Sequence, residues 1–182
     1  MLKRILLIFV AIALAAFFQA CGDKTPPKPS YSSAPKVSVP SGPAYDASLS
    51  DGIDFTKPGY PAFVAEVQGI SGYEPWGRWT EGDRAIIRMK ENLPKSFYLE
   101  LIVKGAFGPN AKAPIRIRVG ASEQSFTVTL PIEIFRFEFS ADQAANTIEI
   151  IPPKPTSPKS MNVNRDVRLL GIGLVKLRII QK

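Results

Sequence analysis

The fold class of this chain is decided by the stretch Ile115-Arg116-Ile117-Arg118-Val119, in which apolar and charged side chains alternate strictly. Alternation with a period of two places successive side chains on opposite faces of a β-strand. The same pattern is repeated over residues 126–130 and 132–139. Between Ile134 and Phe135 the apolar phase changes, which predicts a β-bulge or a strand that passes from one sheet to another.

Other parts of the chain carry weaker versions of the same pattern. Further strands are predicted near residues 63–67, 76–80, 84–89, 97–103, 147–151 and 168–180. Glycine and proline turn signals separate them, and no helices alternate with them. This arrangement predicts an all-β fold, an antiparallel β-sandwich of the jelly-roll kind, over residues 53–182.

The composition excludes several kinds of chemistry. The chain has 182 residues, of which 45% are hydrophobic and 21% charged, and it contains no histidine and one cysteine. Such a chain has no histidine for Ser-His-Asp or Cys-His catalysis or for a zinc site, and it cannot form an internal disulfide. We therefore expect no enzymatic activity, no cofactor and no metal site. The formal charge of +7 includes no run of five basic residues, so nucleic acid is not an expected partner.

The first residues indicate secretion. Lys3 and Arg4 precede an unbroken apolar run over residues 5–18, which is shorter than the roughly 20 residues of a membrane span. Cys21 follows directly after Ala20. This pattern resembles a bacterial lipoprotein signal, which implies removal of residues 1–20, lipidation of Cys21 and attachment to a membrane through acyl chains such as palmitate. The alternative is that Cys21 is an incidental thiol.

Residues 21–52 are predicted to be a tether. They are rich in proline, serine, alanine and glycine, as in Thr25-Pro26-Pro27-Lys28-Pro29-Ser30. This composition cannot bury enough apolar surface to offset the conformational entropy lost on folding. Gly22 stands where lipoproteins retained at the inner membrane usually have aspartate, so the resemblance implies an outer-membrane lipoprotein that faces the periplasm.

Both tryptophans of the chain lie within four residues of each other, in Glu74-Pro75-Trp76-Gly77-Arg78-Trp79. Their difference in parity predicts that one ring faces the core and the other faces solvent. An outward indole beside Arg78 and Glu74 can stack on a sugar ring while the charged groups bind its hydroxyls. The alternative is structural, with the rings in the core and Glu74 and Arg78 ordering a loop.

A second informative segment lies near the C-terminus. Asp166 and Arg168 share parity and are predicted to reach Arg78 or Glu74, either as a structural network or as the rim of a ligand site. Gly171 and Gly173 alternate in the strand that follows, which predicts that another group packs closely against it.

These motifs carry a resemblance. Residues 74–79, 106–110, 151–152 and 166–173 resemble, in the same order, a β-sandwich domain appended to membrane phosphoglycerol transferases and glycosyltransferases of bacterial glycan synthesis. The resemblance covers about residues 55–182 and leaves out the catalytic part of those enzymes. It implies a glycan-related accessory module. Asn110, within the second motif, joins the candidate polar contacts.

Three hypotheses follow for function. The first is a noncatalytic, lipid-anchored envelope protein that binds a glycan. Its candidate contacts are Glu74, Trp76, Arg78, Trp79, Asn110, Asp166 and Arg168. The second is an interaction or assembly lipoprotein that docks on an envelope glycan-synthesis protein. The third is an enzyme that uses Glu74 and Asp166 as paired carboxylates, which would require a particular separation between them.

Overall fold

The computed structural model describes residues 42–140 and 144–182, together with the backbone of residues 37–38. The predicted signal peptide, Cys21 and most of the predicted tether lie outside the described residues.

The described residues form short and long β-strands and one 3₁₀ turn, Gly108–Asn110. The strands are β1 (Val37–Ser38), β2 (Ile53–Asp54), β3 (Val64–Gln68), β4 (Arg78–Glu81), β5 (Ala85–Met89), β6 (Ser96–Ala106), β7 (Ile115–Val119), β8 (Ser122–Phe126), β9 (Glu133–Ser140), β10 (Thr147–Ile151) and β11 (Leu170–Gln181).

The strands form two antiparallel sheets that pack face to face. One sheet has the order β1-β3-β5-β10-β7-β8, and the other has the order β2-β11-β6-β9, with β4 paired to β11 as well. From β2 onward, successive strands alternate between the sheets except in the β7–β8 hairpin. This confirms the predicted all-β antiparallel sandwich with its jelly-roll alternation.

The long strand β11 organises the second sheet. Along one edge it pairs with β6 from Ile172 to Gln181, with two register shifts. Its other edge pairs with β4 near residues 170–174 and with β2 at Lys176 and Leu177. Strands β2 and β4 therefore lie along the same edge of β11.

The core is formed by alternate residues of both sheets. Phe97 and Phe139 stack with ring centroids 5.7 Å apart, and both are almost fully buried. Near the β8 edge, Phe126 lies 4.6 Å from Phe135 and 5.3 Å from Phe137, measured between ring centroids. Burial of aromatic and branched apolar side chains supplies the main favourable free energy of folding.

Two details of the sequence-based strands are wrong. The strand predicted over residues 126–130 ends at Phe126, because β7 and β8 form a tight hairpin that begins earlier, with its turn at Gly120. Neither the bulge nor the change of sheet predicted at Ile134 occurs, since β6 and β9 pair in one sheet and in continuous register from Ser96 to Val103. Ile134 instead points to solvent.

The folded domain begins before residue 53. The backbone amide of Tyr45 donates to the Tyr60 carbonyl at 3.2 Å, and that of Ile179 donates to the Leu49 carbonyl at 2.9 Å. Leu49 packs against the core. Residues 45–52, assigned to the tether from composition, are therefore part of the folded domain.

No helix among the described residues is long and apolar enough to cross a bilayer.

Gly171 offers a direct test of the packing against β11. A Cβ at this position would lie 2.4 Å from both Thr80 Oγ1 and Pro152 Cγ, whereas a Cβ at Gly105 on the neighbouring strand would meet nothing within 4 Å. We predict that Gly171→Ala lowers the free energy of unfolding by about 1–3 kcal/mol, measured by urea denaturation. Gly105→Ala is the matched control and should change it by less than about 0.5 kcal/mol. Equal effects would contradict this account.

Candidate functional site

The two tryptophans lie together on the outer face of the second sheet. Trp79 is on β4, and Trp76 is in the turn before it, where Glu74 and Gly77 exchange backbone hydrogen bonds of 3.0 and 2.9 Å. The turn folds Trp76 back so that its ring centroid lies 5.1 Å from that of Trp79, at an interplanar angle of 71°. Trp79 in turn contacts Phe107 edge to face at 6.0 Å.

The parity argument for these rings is therefore wrong. Neither tryptophan belongs to the hydrophobic core, and both are half-buried. The reason is that Trp76 occupies a turn, where the alternation of a regular strand does not apply. Two adjacent indoles are thus partly open to solvent. We call Trp76, Trp79 and Phe107 the aromatic cluster.

Trp76 is held by polar, cationic and steric contacts. Its indole Nε1 donates a 2.8 Å hydrogen bond to Glu74 Oε2, and Lys104 Nζ lies 4.4 Å from the ring centroid. The ring also covers Gly173, where a Cβ would lie only 2.8 Å from Trp76 Cζ3. The prediction that something packs closely against Gly171 and Gly173 is therefore confirmed. The Lys104 ammonium over the indole is a cation–π contact at an exposed position.

A carboxylate–guanidinium network borders the aromatic cluster. Arg168 Nη2 lies 2.6 Å from Asp166 Oδ2, and Arg168 Nη1 lies 3.6 Å from Glu74 Oε1. Hydrogen bonds from the Arg168 side chain and backbone hold the pKa of the Asp166 carboxyl below its usual value. The predicted contact between Arg168 and Glu74 is present. The carboxylates of Glu74 and Asp166 therefore both face the Arg168 guanidinium. In an acid–base pair for glycoside hydrolysis, the two carboxyl groups would instead flank the bond that is cleaved.

Arg78 does not belong to this surface. Its side chain is buried and only 3% exposed. Its guanidinium donates to the Lys57 carbonyl at 3.2 Å and to the Ser71 carbonyl at 3.4 Å, and it lies 4.8 Å from the Tyr60 ring centroid. The prediction that Arg78 contacts a ligand directly is therefore wrong, because its side chain is buried. Its parity on β4 is opposite to that of Trp79, so it turns inward.

The prediction that Asn110 is a polar contact for a ligand is also wrong. It is fully buried at the end of the 3₁₀ turn. Its Nδ2 donates to the carbonyls of Phe107 and Lys154, each at 2.9 Å, and of Leu170 at 3.3 Å. Its Oδ1 accepts from the Lys154 amide at 2.9 Å. With its hydrogen-bonding capacity used by the backbone of three segments, Asn110 has a structural role.

Some surface residues near the aromatic cluster were not found from the sequence. Phe107 and Lys104 contact the indoles, although neither is in the Trp-rich motif. In the sequence, Lys104 stands at an outward-facing position at the end of an alternating strand. Many lysines occupy such positions, so this feature could not single out Lys104 as a site residue. Among the described residues, no group of three or more aspartate, glutamate, cysteine or histidine side chains is placed to hold a metal ion.

Comparison with known proteins gives a family and a set of relatives. The family model described as "Domain of unknown function (DUF7024)" matches residues 43–181. Phosphoglycerol transferase I from Salmonella choleraesuis (strain SC-B67) is 38% identical over 135 residues. The proteins of the same name from Salmonella paratyphi B and Salmonella newport are also 38% identical over 135 residues. These alignments cover 72% of this chain and 18% of each relative. No solved structure matches the chain significantly.

The structural role of Asn110 can be measured. We predict that Asn110→Ala lowers the free energy of unfolding by at least about 2 kcal/mol, because it removes the hydrogen bonds of Asn110 Nδ2 to three carbonyls and leaves the Lys154 amide without its acceptor. Chemical denaturation monitored by tryptophan fluorescence gives the value. Asn92→Ala, at an exposed asparagine, is the control and should have little effect. A small loss at Asn110 would show that water or backbone adjustment replaces its hydrogen bonds.

Tyr60 beside Arg78 gives a pH-dependent prediction. Burial raises the pKa of the Tyr60 phenol to about 12, and the positive charge of Arg78 opposes this shift. The unfolded chain releases this proton near pH 10, so the folded state is destabilised relative to it as pH rises from 10 to 12. We expect wild type to lose about 2–3 kcal/mol more than Tyr60→Phe over this interval, measured by denaturation at each pH. Parallel pH curves for the two proteins would contradict the burial of this phenol.

Proposed function

The chain belongs to the family described as "Domain of unknown function (DUF7024)", and on that premise we propose that it is a noncatalytic accessory domain that binds a glycan of the cell envelope. The observation that carries the proposal is the pair of half-exposed indoles, Trp76 and Trp79, bordered by the Glu74–Arg168–Asp166 network. Indole rings stack on the apolar C–H face of a sugar, and neighbouring charged groups bind its hydroxyls.

The contacts of the site define how a glycan would bind. The proposed ligand contacts are Trp76, Trp79, Glu74, Asp166 and Arg168, with Lys104 as an addition from the structure. Because the Lys104 ammonium lies over the Trp76 ring, a sugar on that face must displace it. A shallow site with this cost predicts weak binding, in the micromolar to millimolar range.

The cellular setting is part of the same proposal. We place the domain on a membrane through a lipidated Cys21 and a proline-rich tether, most simply at the outer membrane and facing the periplasm. The relation to a segment of phosphoglycerol transferase I supports an envelope role. That segment is 18% of the relative, which fits an accessory region outside the catalytic part.

The same relation supports a second candidate function. In this alternative, the domain docks on a protein of envelope glycan synthesis and has no sugar affinity of its own. Crosslinking in cells separates the two. Protein adducts that persist in Trp76→Ala and Trp79→Ala, without any glycan binding by wild type, would favour docking.

Glycan binding is tested by calorimetric titration of the intact protein with neutral and anionic envelope glycans. We expect Trp76→Ala and Trp79→Ala each to weaken binding by about 5- to 10-fold, the range for loss of one stacking contact. Both indoles also report binding directly, because they are the only tryptophans in the chain. Absence of binding by wild type to every glycan would reject the proposal.

Two control variants separate loss of the site from loss of the fold. Tyr98→Ala removes an aromatic ring from the same strand as Lys104, at the opposite end of the sheet, where it contacts Arg136. It should bind glycan as wild type does. Gly173→Ala displaces the Trp76 ring without removing it and should weaken binding, whereas Gly105→Ala should not. Equal weakening by Tyr98→Ala would mean that glycan is bound elsewhere on the sheet.

A further inference from the structure

Exposed apolar side chains are concentrated near the aromatic cluster. Among the described residues, the exposed large apolar side chains lie in three segments of the chain. One is Tyr73, and the other two contribute Leu130, Ile132, Ile134, Met161, Val163 and Val167, which are 44–68% exposed. We call these six aliphatic residues the apolar rim. Single exposed apolar residues are ordinary, but a group of this kind marks an interaction surface.

Contacts link the two segments of the rim through the aromatic cluster. The amide of Ile132 donates to the Lys104 carbonyl at 3.0 Å, and the Lys104 ammonium lies on Trp76. On the other side, Met161 packs against Gly108, which follows Phe107 of the cluster. Val167 precedes Arg168, which pairs with Glu74. The rim therefore belongs to one end of the second sheet.

The backbone of the rim adopts the left-handed conformation at two of its tips, and it is strained at one of them, Ile132. Ile132 has a φ of 58°, and Asn162, between Met161 and Val163, has a φ of 56°. A β-branched residue rarely adopts this left-handed conformation, which costs roughly 1–3 kcal/mol in usual estimates and is found where function requires it. The strain at Ile132 directs an isoleucine side chain outward instead of into the core.

The charge around the rim is positive. The exposed basic side chains in this region are Lys104, Lys112, Lys154, Lys159 and Arg165, and none of them forms an ion pair with another described residue. The carboxylates of Glu74 and Asp166 face Arg168, and Glu81 also acts on the charge of that guanidinium. Glu133, between Ile132 and Ile134, keeps its negative charge, because hydrogen bonds from Thr129 hold the pKa of its carboxyl below its usual value. Around the exposed aliphatic side chains, the five unpaired cations together with Arg168 therefore outnumber the carboxylates of Glu74, Glu81, Glu133 and Asp166. This combination suits the headgroups and upper acyl chains of an anionic lipid bilayer.

We propose that this end of the folded domain docks on an anionic bilayer surface, with the apolar rim among the upper acyl chains and the lysines at the phosphates. The contact is separate from any lipid on Cys21, because it uses side chains of the folded domain. It places the aromatic cluster at the level of the headgroups. A domain held only by a tether would leave the exposed parts of both indoles in contact with water.

The native tryptophans provide the test. The full-length protein is reconstituted in vesicles that contain phosphatidylglycerol, with acyl chains that are either brominated or unmodified, and no glycan is present. Bromine quenches an indole only at short range, so brominated lipid should quench Trp76 and Trp79. We expect the triple variants Leu130→Ser/Ile132→Ser/Ile134→Ser and Met161→Ser/Val163→Ser/Val167→Ser each to lose more than about half of this quenching.

A matched control keeps the test specific. The double variant Ile86→Ser/Ile180→Ser changes half-buried isoleucines away from the rim and should be quenched as wild type is. Thermal unfolding confirms that each variant is folded. No quenching of wild type, or quenching that neither triple variant reduces, would overturn the proposal. Loss of a protein crosslink in the rim variants, without quenching of wild type, would identify a protein interface and would also overturn it.

Discussion

The pairing of β11 with strands on both of its edges is the constraint on which the rest of this structure depends. Its backbone bonds to β6 on one side and to β4 and β2 on the other. Side chains from other segments can pack closely against the first residues of β11 because Gly171 and Gly173 have no Cβ. Thr80 and Pro152 occupy the space at Gly171, and Trp76 occupies the space at Gly173. The aromatic cluster therefore lies where the strand leaves room for it.

Buried polar side chains connect the loops around this strand. Asn110 joins the segments of Phe107, Lys154 and Leu170 through hydrogen bonds from its side-chain amide to their backbone carbonyls. Arg78 joins the Lys57 and Ser71 segments in the same way. A buried charge is costly to desolvate, and the carbonyls and tyrosine rings around Arg78 offset part of that cost. These two residues position the surface that the aromatic cluster presents, without being part of it.

The outer faces of the two sheets differ in character. On the six-stranded sheet, Arg84 and Arg118 share Glu149 at 3.1 and 3.2 Å, and Arg88 lies 3.5 Å from Glu66. Exposed ion pairs of this kind contribute little to stability, but they make a solvated face. The other sheet carries indoles, unpaired lysines and exposed aliphatic side chains at one end. This asymmetry is the basis of the proposed ligand and membrane contacts.

The sequence by itself determined the fold class and most strand positions, because a period of two is a local property of a half-buried strand. It also indicated that the Asp166–Arg168 segment reaches Glu74 or Arg78, of which the structure has the contact of Arg168 with Glu74, and it indicated the close packing at Gly171 and Gly173. It did not determine the exposure of Trp76, Trp79, Arg78 or Asn110, which depends on a turn and on which distant segments meet each side chain. The exposure of the apolar rim residues was likewise decided by tertiary structure. Leu130 and Ile132 follow the same alternation as core residues, and only the end of β8 and the strained backbone at Ile132 turn them outward.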